Sequence, residues 1–342
     1  AAIVKCFDGQ SLKTNRFTLE RSKQILKRTK EIASDSAYQS SAFDSDVLEE
    51  IGYRNSAVQI TDQQIFENIV GVQRAQYLIE NKSLDYLKSA NLGYNFTIEM
   101  ETGTGKTYTY IRTMYELNQK YGWSKFMIVV PSIAIREGVF KTFEITQDHF
   151  QEIYGHKISP FIYNSSRPQD IETFASDSRI SVMIINTQAF AARGADARRI
   201  HQELDQFGSR RPIDIIAQTN PIIIIDEPQS VGKEGSVTLK RMEDFNPLSI
   251  LRYSATHAEE FNKVYRLDAL DAYNKKLVKK IQVKGISLKG SNGTTGYLYL
   301  EHITLSANKP PVAFLEYEER SGSGIKRVRK PLLQGTDLYE IS

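Results

Sequence analysis

Cysteine is nearly absent from this chain of 342 residues, in which Cys6 is the single example. One thiol excludes an intrachain disulfide and any zinc site built from several cysteines, and such low usage is typical of a reducing compartment. We interpret Cys6 as a small buried hydrophobic residue. The five histidines show no metal-ligand spacing either.

Long apolar runs are also missing. No stretch approaches the ~18 apolar residues of a membrane span, and the first ten residues lack the basic region, apolar core and cleavage site of a secretion signal. We therefore expect a cytoplasmic protein with no membrane partner. The composition is 40% hydrophobic and 25% charged, which is ordinary for a soluble protein with a sizeable core, and the length favours about two domains.

Neither sign of charge dominates the whole chain, which carries +3. The distribution is uneven, because residues 275–342 carry +6 and the rest therefore carries −3. Lysine pairs between Lys275 and Lys280 and the run Lys326 to Lys330 could follow a phosphate backbone, since each neutralised phosphate releases counterions. They could equally be a solvated surface, and both interpretations stay open.

The most informative segment that is present is METGTGKT, Met100 to Thr107. It lies between an apolar strand-like run, Phe96 to Met100, and an apolar-periodic stretch that opens at Lys106. A strand, a glycine-rich loop and a helix in that order aim backbone N–H groups at phosphates. This context predicts a nucleoside triphosphate site, cradled by the following residues: Thr102, Gly103, Thr104, Gly105, Lys106 and Thr107.

Two residues of this loop have separate predicted roles. Lys106 reaches the β- and γ-phosphates, and the Thr107 hydroxyl holds Mg²⁺. Met100 departs from the strict pattern, which has glycine at that position. The alternative for this segment alone is a chance G-x-G-K-T in an ordinary loop.

A second segment carries carboxylates at the end of a predicted strand. Four isoleucines, Ile222 to Ile225, are followed by Asp226 and Glu227. Such a β-branched run is typical of a strand buried on both faces of a parallel sheet, and its tip lies beside the phosphate loop. Asp226 then holds the water shell of Mg²⁺ and Glu227 reaches the attacking water. The plain alternative is an acidic turn; together with Lys106, the segment predicts ATP hydrolysis.

Apolar runs alternate with helix-length segments through the middle of the chain. This alternation predicts an α/β fold with a parallel, doubly wound sheet that has helices on both faces. Three parts are predicted: a mainly helical segment over 1–92 with a loop at Ser34 to Asp46, an ATP-binding lobe over 93–260, and a basic, β-rich antiparallel extension over 261–342. The predicted central strands are Phe96 to Met100, Phe126 to Val130, Val182 to Ile185, Ile222 to Ile225 and Ile250 to Tyr253.

Polar residues follow two other predicted strands. Ser132 ends one strand and enters a helix, Ile133 to Phe140, so its hydroxyl and the helix N-terminus could hold a DNA backbone phosphate. Arg136 lies one turn further on, and Thr187 ends another strand. Ser132 could instead be a plain N-cap, and Arg136 could form a surface salt bridge. For Thr187 the choice between a phosphate contact and a local structural role is open in the same way.

The last central strand ends in small hydroxyl residues, Ser254 and Thr256. They could link the carboxylates of Asp226 and Glu227 to the rest of the site through hydrogen bonds, or they could form an ordinary strand-end turn.

Three segments, METGTGKT, DEPQ and SAT in that order, resemble motifs I, II and III of superfamily 2 helicases. From about Tyr94 to about Val283 the chain resembles, more narrowly, the Res (restriction) subunit of type III restriction-modification enzymes. That resemblance is carried by METGTGKTYTYIRTMYELN, VVPSIAIREGVFKT, PIDIIAQTNPIIIIDEPQSV and NPLSILRYSATH. It implies a RecA-like P-loop lobe of an ATP-dependent motor on double-stranded DNA. It also implies a methylating Mod subunit that recognises the site and a later endonucleolytic cleavage.

The resemblance also assigns roles. It gives Lys106 and Thr107 to the triphosphate and Mg²⁺, Asp226 to the metal and Glu227 to water activation. It assigns to Ser254 and Thr256, in the SAT motif, the coupling of nucleotide state to DNA movement. It assigns to Ser132, in the PSIAIRE segment, a contact with the DNA strand backbone.

Several expected elements are not found. No Q-x-x-G-R-x-x-R-like element, which would carry the arginine fingers of a second RecA-like lobe, follows His257. Glu316, Glu318 and Glu319 lack the D-x(n)-E/D-x-K pattern of a nuclease. Ala1 to Phe7 looks like the back half of the helix that follows an adenine-reading glutamine. We therefore expect a chain cut at both ends.

Gln73 and Gln76 are possible substitutes for that glutamine, although polar residues on a helix surface are the simpler interpretation. An arginine finger contributes about 10³ to 10⁵ in turnover. We therefore predict that this chain binds Mg·ATP weakly, turns it over poorly and does not cut DNA alone.

Two other functions stay open. The first is another superfamily 2 enzyme, such as a helicase or a type I restriction motor, which strand displacement without a methylating partner would favour. The second is a nucleotide-gated DNA-binding module in which hydrolysis is incidental. Equal DNA affinity with ATP and with a non-hydrolysable analogue would favour this module.

Overall fold

The computed structural model describes residues 2–19, 51–86, 91–191, 199–204, 210–232, 235–279, 297–306, 309–322, 324–333 and 335–337. The chain divides into two compact units, Ala1–Lys280 and Ile281–Ser342. The predicted loop at Ser34 to Asp46 lies outside the described residues. The domain boundaries at 92 and 260 stay predictions.

The first unit alternates strands and helices. Its strands are β1 (Thr14–Thr18), β2 (Ile51–Asn55), β3 (Tyr94–Met100), β4 (Lys125–Val130), β5 (Ser159–Ile162), β6 (Ser181–Asn186), β7 (Ile222–Asp226), β8 (Ser249–Ser254) and β9 (Lys263–Leu267). Its described helices are α1 (Ala2–Cys6), α2 (Asp62–Ala75), α3 (Lys106–Tyr121), α4 (Ile133–Tyr154), α5 (Gln169–Ser176), α6 (Gln188–Ala191), α7 (Pro212–Gln218), α8 (Val237–Met242) and α9 (Ala269–Asn274). The described residues of this unit also include two 3₁₀ turns, Pro228–Ser230 and Glu243–Phe245.

Seven of these strands form one parallel sheet in the order β5-β6-β4-β7-β8-β3-β9. The predicted α/β class and all five predicted central strands are confirmed. Within this seven-stranded sheet, the two strands that were not predicted are its edge strands, β5 and β9. β5 has only four residues and includes Pro160, and β9 reads KVYRL with polar residues between apolar ones, so neither has a strong apolar run.

The sheet is buried on both faces, which explains the long isoleucine run of β7. Along β4, Ile128 packs into a core under α1 to α4, whereas Met127 and Val129 pack into a second core under α5 to α8. All five residues of β7 are buried, and alternate isoleucines enter opposite cores. Cys6 is buried in the first core, as expected.

Two local features differ from the sequence predictions. The helix predicted to end at Phe140 continues to Tyr154, where Gly155 takes a left-handed conformation (φ 80°) and closes it. Between α1 and α2, β1 and β2 form a two-stranded antiparallel sheet that was not predicted. Asn55, at the end of β2, donates to the carbonyl oxygens of Lys125 (2.7 Å) and Asn220 (2.9 Å). It thereby ties this two-stranded sheet to the amino ends of the main sheet's strands.

The second unit is a three-stranded antiparallel sheet, which confirms the predicted β-rich extension. Its strands are β10 (Leu298–Ser306), β11 (Lys309–Ser321) and β12 (Gly324–Leu333). Three of its cations lie in cross-strand ion pairs with glutamates: Arg327 with Glu318, Arg329 with Glu301 and Lys330 with Glu319.

No helix in the described part of the chain is long and apolar enough to cross a membrane.

Candidate nucleotide site

The phosphate loop is a tight turn between β3 and α3. Gly103 and Gly105 have φ values of 79° and 90°, a left-handed backbone that favours glycine. The Thr104 hydroxyl donates to the Glu101 carbonyl oxygen at 2.6 Å and fixes the turn. α3 begins directly at Lys106, so the first N–H groups of a sixteen-residue helix face the loop.

The structure brings Lys106 and Glu227 together, although 121 residues separate them. The Lys106 Nζ lies 2.6 Å from Glu227 Oε1, and the two side chains are only 12% and 25% exposed. Asp226 ends β7 immediately before Glu227 and is buried. The convergence arises because the carboxyl ends of parallel strands meet at one edge of the sheet.

Glu227 is held in a constrained position. Its φ of 60° is left-handed, which costs a non-glycine residue about 1 kcal/mol or more, and its N–H donates to the Tyr253 carbonyl oxygen at 3.0 Å. Ser254 Oγ lies 2.8 Å and Gln229 Nε2 lies 2.5 Å from Glu227 Oε2. Both carboxylate oxygens therefore have donors, one from Lys106 and the other from Ser254 and Gln229.

The pKa values of the adjacent carboxyl groups of Asp226 and Glu227 shift in opposite directions. Burial raises the pKa of Asp226 to about 6, helped by the charge of Glu227 and opposed by Lys106. Burial also acts to raise the pKa of Glu227, but hydrogen bonds from Lys106, Ser254 and Gln229 outweigh it and hold that pKa below its usual value. Glu227 is thus the carboxylate stabilised in its charged form.

Ser254 and Thr256 occupy unequal positions. Ser254 is fully buried and contacts Glu227 directly, while the Thr256 side chain is exposed and its backbone N–H donates to Ser254 Oγ at 3.2 Å. The side-chain link from this strand end to the carboxylates therefore runs through Ser254.

The DNA candidates lie at the carboxyl ends of neighbouring strands. Ser132 caps α4 by accepting from the Ile135 N–H at 3.3 Å, and Arg136 donates to Glu137 at 2.9 Å. The Arg136 Nε is buried with no hydrogen-bond partner among the described residues. Thr187 donates its N–H to the Val130 carbonyl oxygen.

A polar cavity of about 440 Å³ adjoins Arg136. Polar side chains of its wall come from the β5–α5 connection and from the end of β6, namely Asn164, Ser165, Arg167, Asn186 and Gln188. Asn164, Ser165 and Arg167 were not predicted as site residues, because they follow β5, which itself was not predicted. Asn186 and Gln188 flank the predicted candidate Thr187 at the end of a predicted strand.

The two glutamines that could replace an adenine-reading residue differ in their surroundings. Gln73 is fully buried and satisfied, since it donates to Asn81 and to the Lys263 carbonyl oxygen and accepts from the Asn81 N–H. Gln76 follows α2 and lines a cavity of about 310 Å³ with Tyr108 of α3. Gln73 therefore has a structural role, and Gln76 is the one of the two that faces open space beside the loop helix.

Two contacts of the site were missed in the sequence. Gln229 donates to Glu227, and the Tyr110 hydroxyl donates to Asp226 Oδ2 at 3.4 Å. The signal for Gln229 was its place two residues after Glu227. Tyr110 gave no signal, because its contact depends on how α3 packs on β7.

The sequence comparisons decide the family. The family model described as "Type III restriction enzyme, res subunit" matches residues 53–259, more than half of the chain. The chain belongs to this family. The resemblance expected from the phosphate loop, the DEPQ segment and the SAT triplet is confirmed, and all of these segments lie inside the matched range.

Individual relatives of the Res family agree. The chain is 35% identical over 246 residues to the type III restriction-modification enzyme EcoPI Res subunit of Escherichia phage P1, covering 66% of this chain and 25% of that protein. It is 34% identical to the EcoP15I Res subunit of Escherichia coli over the same length and shares. The chain thus spans about a quarter of the length of these relatives.

A solved structure is similar over 64% of this chain and 18% of its own: a nuclease-deletion mutant of the type ISP restriction-modification enzyme LlaGI in complex with a DNA substrate mimic. The identity is 14% and the TM-score 0.35. At these values the likeness adds nothing to the family assignment.

Proposed function

We propose that this chain is the ATP-binding motor lobe of a type III restriction subunit, coupling ATP hydrolysis to movement along double-stranded DNA. The observation that supports this most strongly is the 2.6 Å pair of Lys106 and Glu227 at the mouth of a glycine-turned phosphate loop. A phosphate-binding lysine and an acceptor for the attacking water need to meet at such a point.

The chemistry follows from what Lys106 and Glu227 can exchange. A triphosphate carries more negative charge than the single carboxylate of Glu227. When it binds, the Lys106 ammonium therefore leaves Glu227 and pairs with the β- and γ-phosphates. Glu227 then loses its strongest partner while Ser254 and Gln229 still hold its other oxygen. The freed oxygen orients the attacking water and accepts its proton.

The metal in this proposal is Mg²⁺, with Thr107 and Asp226 as its protein ligands. A hydroxyl and a carboxylate are the oxygen donors that Mg²⁺ prefers, and it commonly takes one or two carboxylates with phosphates and waters. The described residues include no group of three or more His, Cys, Asp or Glu side chains able to hold a metal. When bound with the nucleotide, the ion would neutralise charge on the phosphates.

DNA binds, in this proposal, at the same edge of the sheet through Ser132, Arg136 and Thr187. The unpartnered Arg136 Nε supports a phosphate contact there, because an arginine nitrogen without an acceptor favours an incoming oxygen. The full-length protein would work with a methylating Mod subunit, cleave DNA after translocation and act in the prokaryotic cytoplasm.

The test is ATP binding and hydrolysis by this purified chain, with and without duplex DNA, beside Lys106→Ala. We expect binding that depends on Lys106, and hydrolysis by this chain near background. DNA-stimulated hydrolysis should appear in the full-length protein. Binding that Lys106→Ala leaves unchanged would contradict the proposed site, and steady hydrolysis at a motor rate by this chain alone would contradict the prediction of poor turnover.

A further inference from the structure

Tyr110 lies one turn beyond Lys106 on α3 and is fully buried. Its hydroxyl lies 3.4 Å from Asp226 Oδ2. The phenol oxygen therefore contacts the carboxylate that the proposed function assigns to the metal.

The direction of this contact follows from the hydrogens that the two groups carry. A tyrosine hydroxyl has one hydrogen, and an ionised carboxylate accepts only. The Tyr110 O–H therefore donates to Asp226 Oδ2.

The ring of Tyr110 is fixed independently of its hydroxyl. It packs edge-on against Tyr253, with ring centroids 5.5 Å apart. The Tyr253 hydroxyl lies 3.3 Å from Thr113 Oγ1, and no contact of that hydroxyl with Asp226 is seen among the described residues. The two tyrosines are thus adjacent, buried and similarly packed, and they differ in whether the hydroxyl reaches the carboxylate.

We propose that Tyr110 is a positioning residue that holds Asp226 and orients it toward the magnesium ion of Mg·ATP. The proposal rests on the proposed nucleotide site. Partners that orient metal ligands in this way typically contribute 10- to 100-fold in metal affinity or activity, to order of magnitude.

The experiment measures binding of a fluorescent ATP analogue to this chain as Mg²⁺ is titrated, for wild type, Tyr110→Phe and Tyr253→Phe. Each phenylalanine keeps the ring and removes one buried hydroxyl. For Tyr110→Phe, the Mg²⁺ concentration at half-maximal binding should rise by about 10-fold or more. Binding without Mg²⁺, with a chelator present, should stay at the wild-type level, and Tyr253→Phe should follow the wild-type Mg²⁺ titration.

Three results would overturn the proposal: an unchanged Mg²⁺ titration for Tyr110→Phe, an equal shift for Tyr253→Phe, or loss of binding without Mg²⁺ in Tyr110→Phe. The last result would mean a general structural role. Failure of the nucleotide site itself looks different, because wild type would then show no Mg²⁺-dependent binding and Lys106→Ala would match it.

Discussion

Two lysines lie at opposite ends of the parallel strands, one at their carboxyl edge and one at their amino edge, and they differ in the groups that they contact. Lys106, at the carboxyl edge, pairs with the side chain of Glu227. Lys125, the first residue of β4 at the amino edge, is fully buried and donates to the backbone carbonyl oxygens of Phe174 (2.5 Å) and Asp177. A side-chain partner on a turn can be exchanged for a ligand, whereas two carbonyls at the end of a helix cannot move away.

This contrast shows where a ligand could be accommodated in this fold. At the amino edge the Lys125 amino group donates to carbonyl oxygens that the end of α5 leaves unpaired, which stabilises the packing of helix on sheet. At the carboxyl edge the amino group of Lys106 is instead satisfied by a side chain, that of Glu227. We therefore propose a role in stability for Lys125 and a role in binding for Lys106, and each substitution below should affect one property without the other.

Of the substitutions considered, Glu227→Gln should have the largest effect, a loss of ATP turnover without a loss of nucleotide binding. The amide cannot accept a proton from water, so ATP hydrolysis by the full-length protein should fall by about 10² to 10⁴, while nucleotide binding persists. Steady-state hydrolysis and equilibrium binding measured on the same preparations check this. Glu172→Gln is the control, since that carboxylate lies on α5 and pairs with Arg210; equal loss of binding and hydrolysis in Glu227→Gln would remove Glu227 from water activation.

Lys125→Met should act on stability alone. The apolar side chain leaves two buried carbonyl oxygens without a donor, at a cost of about 2 to 4 kcal/mol in the free energy of unfolding. Urea unfolding of this chain measures it, and nucleotide binding should stay unchanged. Lys120→Met is the control, because Lys120 is 47% exposed on α3 and should change stability by about 0.5 kcal/mol or less. Similar losses for both lysines would contradict the structural role of Lys125.

The same lysine predicts a smaller, pH-dependent effect. Burial lowers the pKa of Lys125 from 10.5 to about 7 in the folded chain, against a weaker opposing effect of Asp177. Between these values the unfolded chain binds more protons than the folded one, so the free energy of unfolding rises with pH by at most about 1.4 kcal/mol per unit.

Urea unfolding of wild type and Lys125→Met from about pH 7.5 to about pH 9 isolates this contribution. The stability of wild type relative to the variant should increase across that range. A difference that stays flat or decreases would show that Lys125 keeps its charge when folded, held by the two carbonyls.

The sequence predicted which residues meet at the carboxyl ends of the strands and missed the contacts at their amino ends, for a physical reason. Lys106, Asp226 and Glu227 follow apolar strands, and parallel strands bring their carboxyl ends to one edge whatever the details of packing. Lys125 reads as an ordinary polar residue before a strand, because its partners lie 49 and 52 residues away at the end of α5. The contact of Tyr110 with Asp226 was also missed, because the two residues lie 116 positions apart in the sequence.

The edge strands show a second limit. β5 contains Pro160, and β9 carries the charged residues Lys263 and Arg266 among its five, so neither matches the apolar runs of strands buried on both faces. The wall residues that follow β5 in the cavity beside Arg136, such as Asn164, were missed for this reason. Pattern alone identifies central strands and the residues at their tips, while contacts made through helix packing and through short edge strands require the structure.

The most direct test of the central claim is equilibrium binding of ATP to this chain, to Lys106→Ala and to Glu227→Gln. If ATP takes the place of Glu227 on Lys106, Lys106→Ala should weaken binding by about 100-fold, in line with the loss of a charge-assisted pair. Glu227→Gln should bind at least as tightly as wild type, because a competing carboxylate is gone. Unchanged affinity in Lys106→Ala, or a loss in Glu227→Gln as large as that in Lys106→Ala, would contradict the exchange.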